Sequence, residues 1–468
     1  MPAPGGRPPG QNRRWEEGLL AGAITLVYLL YLLTSEYQNL YYDAENYWQL
    51  SHRFYQQGRF SLLGYDDALR GYAYPLVNFL CLVVRKALDW PAVRVVKLLN
   101  AGLAGLLFGV VGPRLWQAAT DSPSLPSVAR RLLWAALGFV FWRDYFSFSL
   151  SDFPAVLALG VALWQAQRST GWAALLTGLA LALALNVRPI YQISALPVLG
   201  LLLLGQPKRA WAGRLMACGL GLVFILAPQW LINRRHFGAN TPLVLSQSKE
   251  LNIHNLYLQK LKWGLLHLKY EASVGPGLPT GQLLFLDQAG AQVLQEEGLD
   301  DFRSPGQYLQ VALRHPGPFL ATYARHLFAG LDISHPTPYL RRWEPSALLS
   351  GLNYSLWFWA MLVTLGGKRP RRKAALVLAG LLLPCLAVLP MSMEVRFLLP
   401  LHLLLLALVA FGPAPVWVLR SKRRLLLVAA AYGVFLLGCF ALSASITRAV
   451  EPRFQGYLGY AVPGSKRP

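Results

Sequence analysis

The sequence predicts an all-α, polytopic transmembrane protein, and three observations carry that prediction. Of 468 residues, 54% are hydrophobic and only 14% charged, an apolar excess over ordinary globular chains. The apolar residues come in blocks: 21–34, 93–112, 153–167, 172–187, 191–205, 215–230, 374–390, 397–417 and 425–445 are nearly free of charge. Stretches of about 20 such residues match a hydrocarbon core of roughly 30 Å. The cations behind the net charge of +22 stand in short clusters between the blocks: Arg13 and Arg14; Arg114; Arg130 and Arg131; Lys208, Arg209 and Arg214; Lys368, Arg369, Arg371, Arg372 and Lys373; Arg420, Lys422, Arg423 and Arg424. Such clusters mark cytoplasmic ends of spans, so the charge reads as topology and no nucleic-acid partner is expected.

Apolar segments recur down the whole chain, which excludes a single cleaved signal peptide. Cys81, Cys218, Cys385 and Cys439 all lie in apolar segments without metal-ligand spacing and read as packing residues.

Alternation from a cytoplasmic Arg13–Arg14 end gives about 11 spans: 17–34, 93–112, 131–147, 153–167, 171–187, 191–205, 212–230, 345–366, 374–390, 397–417 and 424–445. Two apolar pieces, 72–88 and 317–332, are laid along the membrane interface to keep the basic clusters on one side. Residues 1–445 then form one transmembrane domain. Residues 35–75 are its first extracytoplasmic loop, and 233–344 a large extracytoplasmic loop of short and interfacial helices, with Leu251 to Tyr270 as an amphipathic helix. The remainder, 446–468, is a flexible tail. The consequence is geometric: Asp43, Glu45, Asp152, Arg188, Glu394 and Arg396 all fall on the extracytoplasmic face, where an irregular backbone can line a cavity.

Each of these groups has a chemical and a structural reading. Tyr41-Tyr42-Asp43-Ala44-Glu45-Asn46-Tyr47-Trp48 follows the first span. Asp43 and Glu45 do not share a helical face, so one can enter a cavity and take a hydroxyl proton while tyrosines anchor the interface. Asp152, two residues before Pro154, either caps a helix or lines the cavity at that helix's outer end. Arg188 closes a strongly apolar helix before Pro189 and either snorkels or holds an anion. Glu394 and Arg396 form either a structural ion pair or a phosphate clamp. His236, His254, His267, His315, His326, His335 and His402 show no compact ligand spacing, and no glycine-rich phosphate loop or serine elbow is present.

Taken together, the Tyr42-Asp43-Ala44-Glu45 motif after the first span, a second outer Asp152 before a span, and the late Glu394-Val395-Arg396-Phe397-Leu398-Leu399-Pro400 segment resemble multi-span glycosyltransferases that use polyprenyl-phosphate sugars. That superfamily, of GT-C-like architecture, includes protein mannosyltransferases and the enzyme that transfers aminoarabinose to lipid A. The resemblance implies transfer of a hexosyl or pentosyl unit, with inversion, from a polyprenyl-phosphate donor to an extracytoplasmic hydroxyl on a lipid, glycan or protein. It implies Asp43 as base, Asp152 as a second carboxylate with Glu45 close in sequence, and Arg396, Glu394 and Arg188 at the donor phosphate. It puts the transfer outside the cytoplasm, among membrane lipids; an absent targeting segment and a compact chain fit a bacterial inner membrane, with the site facing the periplasm or cell exterior. Glu45 stands two residues after Asp43 instead of one, which leaves open which acid is catalytic. No cofactor is required by the motifs, the metal ligands are unknown, and a divalent cation stays open. Two other classes remain: a lipid-linked glycan polymerase or ligase working through Arg234, Arg235 and Arg314, and a lipid-linked sugar transporter or flippase.

Overall fold

In a computed structural model, residues 9–275, 281–367 and 369–449 are described; Lys368 and residues 450–468 of the expected tail lie outside them. These residues are 72% helix and 5% strand, so the helical expectation holds for the bulk of the chain. Helix α1 spans Pro9–Thr34, α2 Tyr42–Ser51, α3 Ala73–Leu88 and α4 Ala92–Leu106. A π-helical turn at Leu107–Val111 carries α4 into α5, Gly112–Thr120. Then come α6 Val128–Trp142, α7 Asp152–Ala166, α8 Gly171–Val187, α9 Ala195–Leu203 and α10 Lys208–Phe237. Helices α11 Leu256–Leu266, α12 Gln288–Glu296, α13 Pro305–Arg314 and α14 Pro316–Leu331 follow. The last four are α15 Ala347–Gly366, α16 Arg372–Val388, α17 Leu399–Phe411 and α18 Lys422–Arg448.

Among the described residues, five helical stretches are long and apolar enough to cross a bilayer: 15–34, 92–120, 208–237, 347–366 and 422–448. The apolar segments at Asp152–Ala166, Gly171–Val187, Pro189–Leu203 and Val395–Phe411 are helical but shorter, so the expected count of about 11 spans is not reproduced. Helices α7 and α8 have almost the bounds read from sequence and are simply short, whereas the segment expected over 397–417 stops as a helix at Phe411, before Pro413. The π turn has a local cause: Pro113 carries no N–H, and the wider turn before it absorbs the missing hydrogen bond. Helix α18 buries only 6% of its most apolar stretch inside the molecule, which leaves that surface to an apolar medium.

The chain groups into two compact units, although residues 1–445 read from sequence as a single domain. Among the described residues, the first holds 9–254, 363–367, 369–387 and 399–413, and the second 255–275, 281–362, 388–398 and 414–449. In the first unit α7, α8 and α10 pack face to face. The contact is close enough that a Cβ on Gly178 would stand 1.9 Å from the Cys218 carbonyl oxygen, so only glycine fits there. Small alanines, Ala155, Ala162, Ala174 and Ala184, fill the same core at zero exposure.

Two small sheets correct the all-helical expectation. Strands β1 Tyr55–Gln56 and β2 Arg59–Phe60 form a short hairpin in the first unit. In the second unit β3 His267–Ser273 pairs antiparallel with β4 Gly281–Leu286 and parallel with β5 Tyr339–Leu340. The amphipathic helix expected over Leu251 to Tyr270 is therefore confined to α11. Residues 251–255 form a turn, and 267–270 are claimed by pairing with β4, a non-local gain that local periodicity does not register.

Candidate active site

In the first unit the polar groups gather where α1 ends. Ser35, just past α1, meets Ser147 at 3.3 Å and accepts a hydrogen bond from the buried Lys97 Nζ at 2.9 Å. Asn100 Nδ2 donates to the carbonyls of Phe146 and Phe148 at 3.0 and 2.8 Å. These bonds fix the turn 143–151 that delivers Asp152 to the start of α7. Buried backbone carbonyls in an apolar setting need such partners.

Helix α2 begins at Tyr42 with φ +46°, a left-handed conformation that costs a non-glycine residue about 1–3 kcal/mol and is held by its surroundings. Asp43 follows it. Its Oδ1 accepts a hydrogen bond from Arg70 at 3.0 Å, and both side chains keep 28–29% of their surface. Helical phase turns Glu45 away to an exposed position, so of the two acids only Asp43 enters this constellation.

Arg70 is held from several sides. Its backbone N–H and that of Leu69 donate to Asp67 Oδ1 at 2.8 and 2.6 Å, and its carbonyl accepts from the Tyr65 hydroxyl at 3.1 Å. Burial pushes the Asp67 carboxyl up from its ordinary range and the Tyr65 phenol well above 10, so Tyr65 stays a donor. The next residue must be glycine, because a Cβ on Gly71 would lie 2.1 Å from the Asn186 carbonyl oxygen. Ala73 N–H donates to Asn186 Oδ1 at 2.9 Å. Asn186 Nδ2 and the Tyr72 N–H both donate to Gln229 Oε1, at 2.9 and 3.2 Å, and Gln229 donates onward to Asn233 at 2.9 Å. Three buried amides thus bind the 70–73 turn to the end of α8 and the middle of α10.

Asn186 lies two residues before Arg188, the second cation of the site. Arg188 Nη1 is paired with Asp152, whose side chain is 1% exposed against 20% for the arginine. Asp152 is the first residue of α7 and Ser151 occupies the cap position, so the carboxylate serves Arg188 and the capping reading gives way. Tyr47 joins the two pairs. Arg70 lies 5.3 Å over its ring, and its hydroxyl donates to Ser151 Oγ at 3.1 Å.

Of the residues singled out from sequence, Asp152 pairs with Arg188, and Asp43 is linked toward them through Arg70, Tyr47 and Ser151. Glu394 and Arg396 lie in the second unit, where Arg396, 8% exposed, bonds to Glu394 as an ion pair. Among the described residues no group of three His, Cys, Asp or Glu side chains is arranged to hold a metal ion. Sequence reading missed Arg70, Tyr47, Asn186 and Gln229. The signal for the amides was present: Asn186, Gln229 and Asn233 interrupt apolar helices, where an unbonded amide is costly. Arg70, in a loop rich in tyrosine and glycine, carried no such mark.

Chemically the arrangement offers one reachable carboxylate, two partly open guanidinium groups, and a buried carboxylate that orients one of them. No family model matches this chain, and no curated protein or solved structure is significantly similar to it.

Proposed function

We propose that this protein is a membrane glycosyltransferase that moves a sugar from a polyprenyl-phosphate donor to a hydroxyl outside the cytoplasm, with inversion at the anomeric carbon. The observation that carries the reading is the pairing of a reachable Asp43 with Arg70 beside the buried Asp152–Arg188 pair, at the end of the unit where α1 emerges. The reading also draws on the motif resemblance around Asp43, Asp152 and Arg396. The reaction needs a base for the attacking hydroxyl and cations for a leaving phosphate, and both kinds of group occur within this constellation.

In the step proposed, the acceptor oxygen bonds to the anomeric carbon from the face opposite the phosphate, while its proton passes to Asp43. The bond from that carbon to the phosphate oxygen breaks, and the electron pair leaves with the phosphate. Arg70 orients Asp43, and Arg188, held by Asp152, faces the developing negative charge. Positive charge that builds on the sugar ring in the transition state is favoured by a nearby carboxylate. Glu45, exposed on the other side of α2, takes no part. Arg396 and Glu394, which the resemblance assigns to the donor phosphate, are left out of this step. In this reading the basic clusters lie in the cytoplasm and the site faces outward from a bacterial inner membrane, where a lipid, glycan or protein supplies the hydroxyl.

The test is reconstitution into vesicles with a panel of polyprenyl-phosphate sugars and candidate acceptors. Release of the bare polyprenyl phosphate, together with a product of inverted anomeric configuration by NMR, is the expected result. Transbilayer movement of the donor without cleavage would replace this reading with transport, and joining of lipid-linked oligosaccharides would replace it with polymerisation.

A further inference from the structure

Helices α13 and α14 of the second unit present an apolar outer stripe that nothing in the unit covers. The inner face of α13 is well buried: Tyr308 and Val311 join Phe319 of α14, Leu261 and Leu265 of α11, and Val293 and Leu294 of α12 in one core. A hydrogen bond of 2.7 Å between the Tyr308 and Tyr323 hydroxyls locks α13 to α14. On the outside, Leu309 and Leu313 sit one helical turn apart at 58% and 72% exposure. Leu320 of α14 is 68% exposed and Leu327 38%, seven residues apart and so on one face. In water each such leucine forgoes about 1.5–3 kcal/mol that burial would return.

The far end of α14 is fixed to the ends of two helices that can cross a membrane. Phe328 packs against Tyr354 and Trp357 in the first half of α15, at ring separations of 6.2 and 5.9 Å. Asp332 accepts hydrogen bonds from Tyr354 at 2.7 Å and from Ser443, near the end of α18, at 2.6 Å. Asn353 Nδ2 donates to the Leu331 carbonyl at 2.7 Å. Helix α14 therefore leaves from the level at which α15 begins and α18 ends, which is where a bilayer surface lies if they span it. Arg314, with 54% of its side chain exposed, and the exposed Arg303 flank the leucines of α13.

We infer that the α13–α14 elbow is a lipid-contact surface, with Leu309, Leu313, Leu320 and Leu327 set into the leaflet at which α15 begins and with Arg303 and Arg314 at headgroup level. The pattern of exposed leucines on one side, a protein core on the other and arginines between is that of a helix lying in the membrane interface. This surface depends on the second unit alone and stands whether or not the chain transfers sugars.

The experiment uses the full chain in phosphatidylcholine–phosphatidylglycerol vesicles, with an environment-sensitive fluorophore on Leu313→Cys and, as a control, on Gln292→Cys of α12. The native cysteines are all buried, so the added thiol takes the label. At Leu313 the expected result is blue-shifted emission, quenched by spin-labelled lipid and more by a nitroxide near the headgroup than by one near the chain end. An apolar face set about 5–10 Å into the leaflet gives that order. At Gln292, aqueous iodide should quench instead. Equal iodide quenching at both positions, with no effect of spin-labelled lipid, would overturn the inference. So would a blue shift that grows with protein density and resists both quenchers, since a second copy of the chain would then be the cover.

Discussion

Both units bury ion pairs, some completed locally and some across the fold; in the second unit Asp287, its side chain 3% exposed, meets Arg325 across 38 residues at 2.8 Å, beside two local pairs. In the second unit Lys269 pairs with Glu271 at 2.7 Å, and Glu394 pairs with Arg396; each partner is two residues from the other. In the first unit Asp43 and Arg70 are 27 residues apart, and Asp152 and Arg188 are 36 apart. A pair two residues apart on a strand or tight turn is complete once the local chain folds. Pairs joined across 27 and 36 residues exist only when the outer loop, α7 and α8 are docked, so the candidate site is a product of tertiary structure. Lys269 at 6% and Arg396 at 8% are more buried than Asp43 and Arg70, whose side chains keep over a quarter of their surface, while Asp152 of the other long-range pair is buried completely. Burial lifts a lysine's cost, and here the adjacent carboxylate overcomes it, so Lys269 is held above its ordinary value and Glu271 below.

Breaking a long-range pair gives the largest expected effect on stability. Arg188→Ala leaves Asp152 charged and buried, and should cost about 3–5 kcal/mol in denaturant unfolding, with part recovered in the Arg188→Ala, Asp152→Asn double variant. A double variant that loses the sum of the Arg188→Ala and Asp152→Asn losses would show that the two residues act independently. Gly71→Ala forces a Cβ against the Asn186 carbonyl and should cost about 1–3 kcal/mol, with loss of activity ahead of loss of fold because Arg70 moves first. An alanine variant of full stability and activity would mean the close approach is not what sets Arg70.

In the second unit the expected break is by acid. Burial holds His267, at the start of β3, down to about 4, and pushes His326 and His335 in the same direction. The unfolded chain takes up these protons near 6.5 while the folded one resists, so stability falls as pH drops from about 6.5 toward about 4. His267 accounts for on the order of 2 kcal/mol of that loss after discount for partial exposure. His267→Gln should flatten this part of the curve; an unchanged slope would assign it elsewhere. The smallest effect belongs to Glu45→Gln, an exposed change expected to stay within about 0.5 kcal/mol in stability and to leave turnover near that of the parent chain.

How much of this was legible in the sequence differs between the same two regions. The apolar blocks and their helical state followed from composition, because long apolar runs have few other solutions. The motif around Asp43 could be located, but its partner could not. Arg70 is chosen by the docking of 65–73 against Asn186 and Gln229, contacts that span more than a hundred residues. Asp152 and Arg188 were each visible as charges at helix ends, yet nothing in their spacing announced that they meet. In the second unit the first residues of β3, 267–270, read as helix because local periodicity does not register a pairing partner that lies elsewhere in the chain. The span count is not reproduced because segments such as α7 and α8, 15 and 17 residues long, fall short of the roughly 20 that a bilayer core asks.

The most direct test of the account compares the intact chain with Asp43→Asn in reconstituted vesicles, following loss of polyprenyl-phosphate sugar, with thermal unfolding as the check on fold. Removal of a general base is expected to lower turnover about 10²- to 10⁴-fold while the unfolding transition persists. Equal turnover in the two proteins would contradict the role given to Asp43, and with it the site built around Arg70 and Arg188.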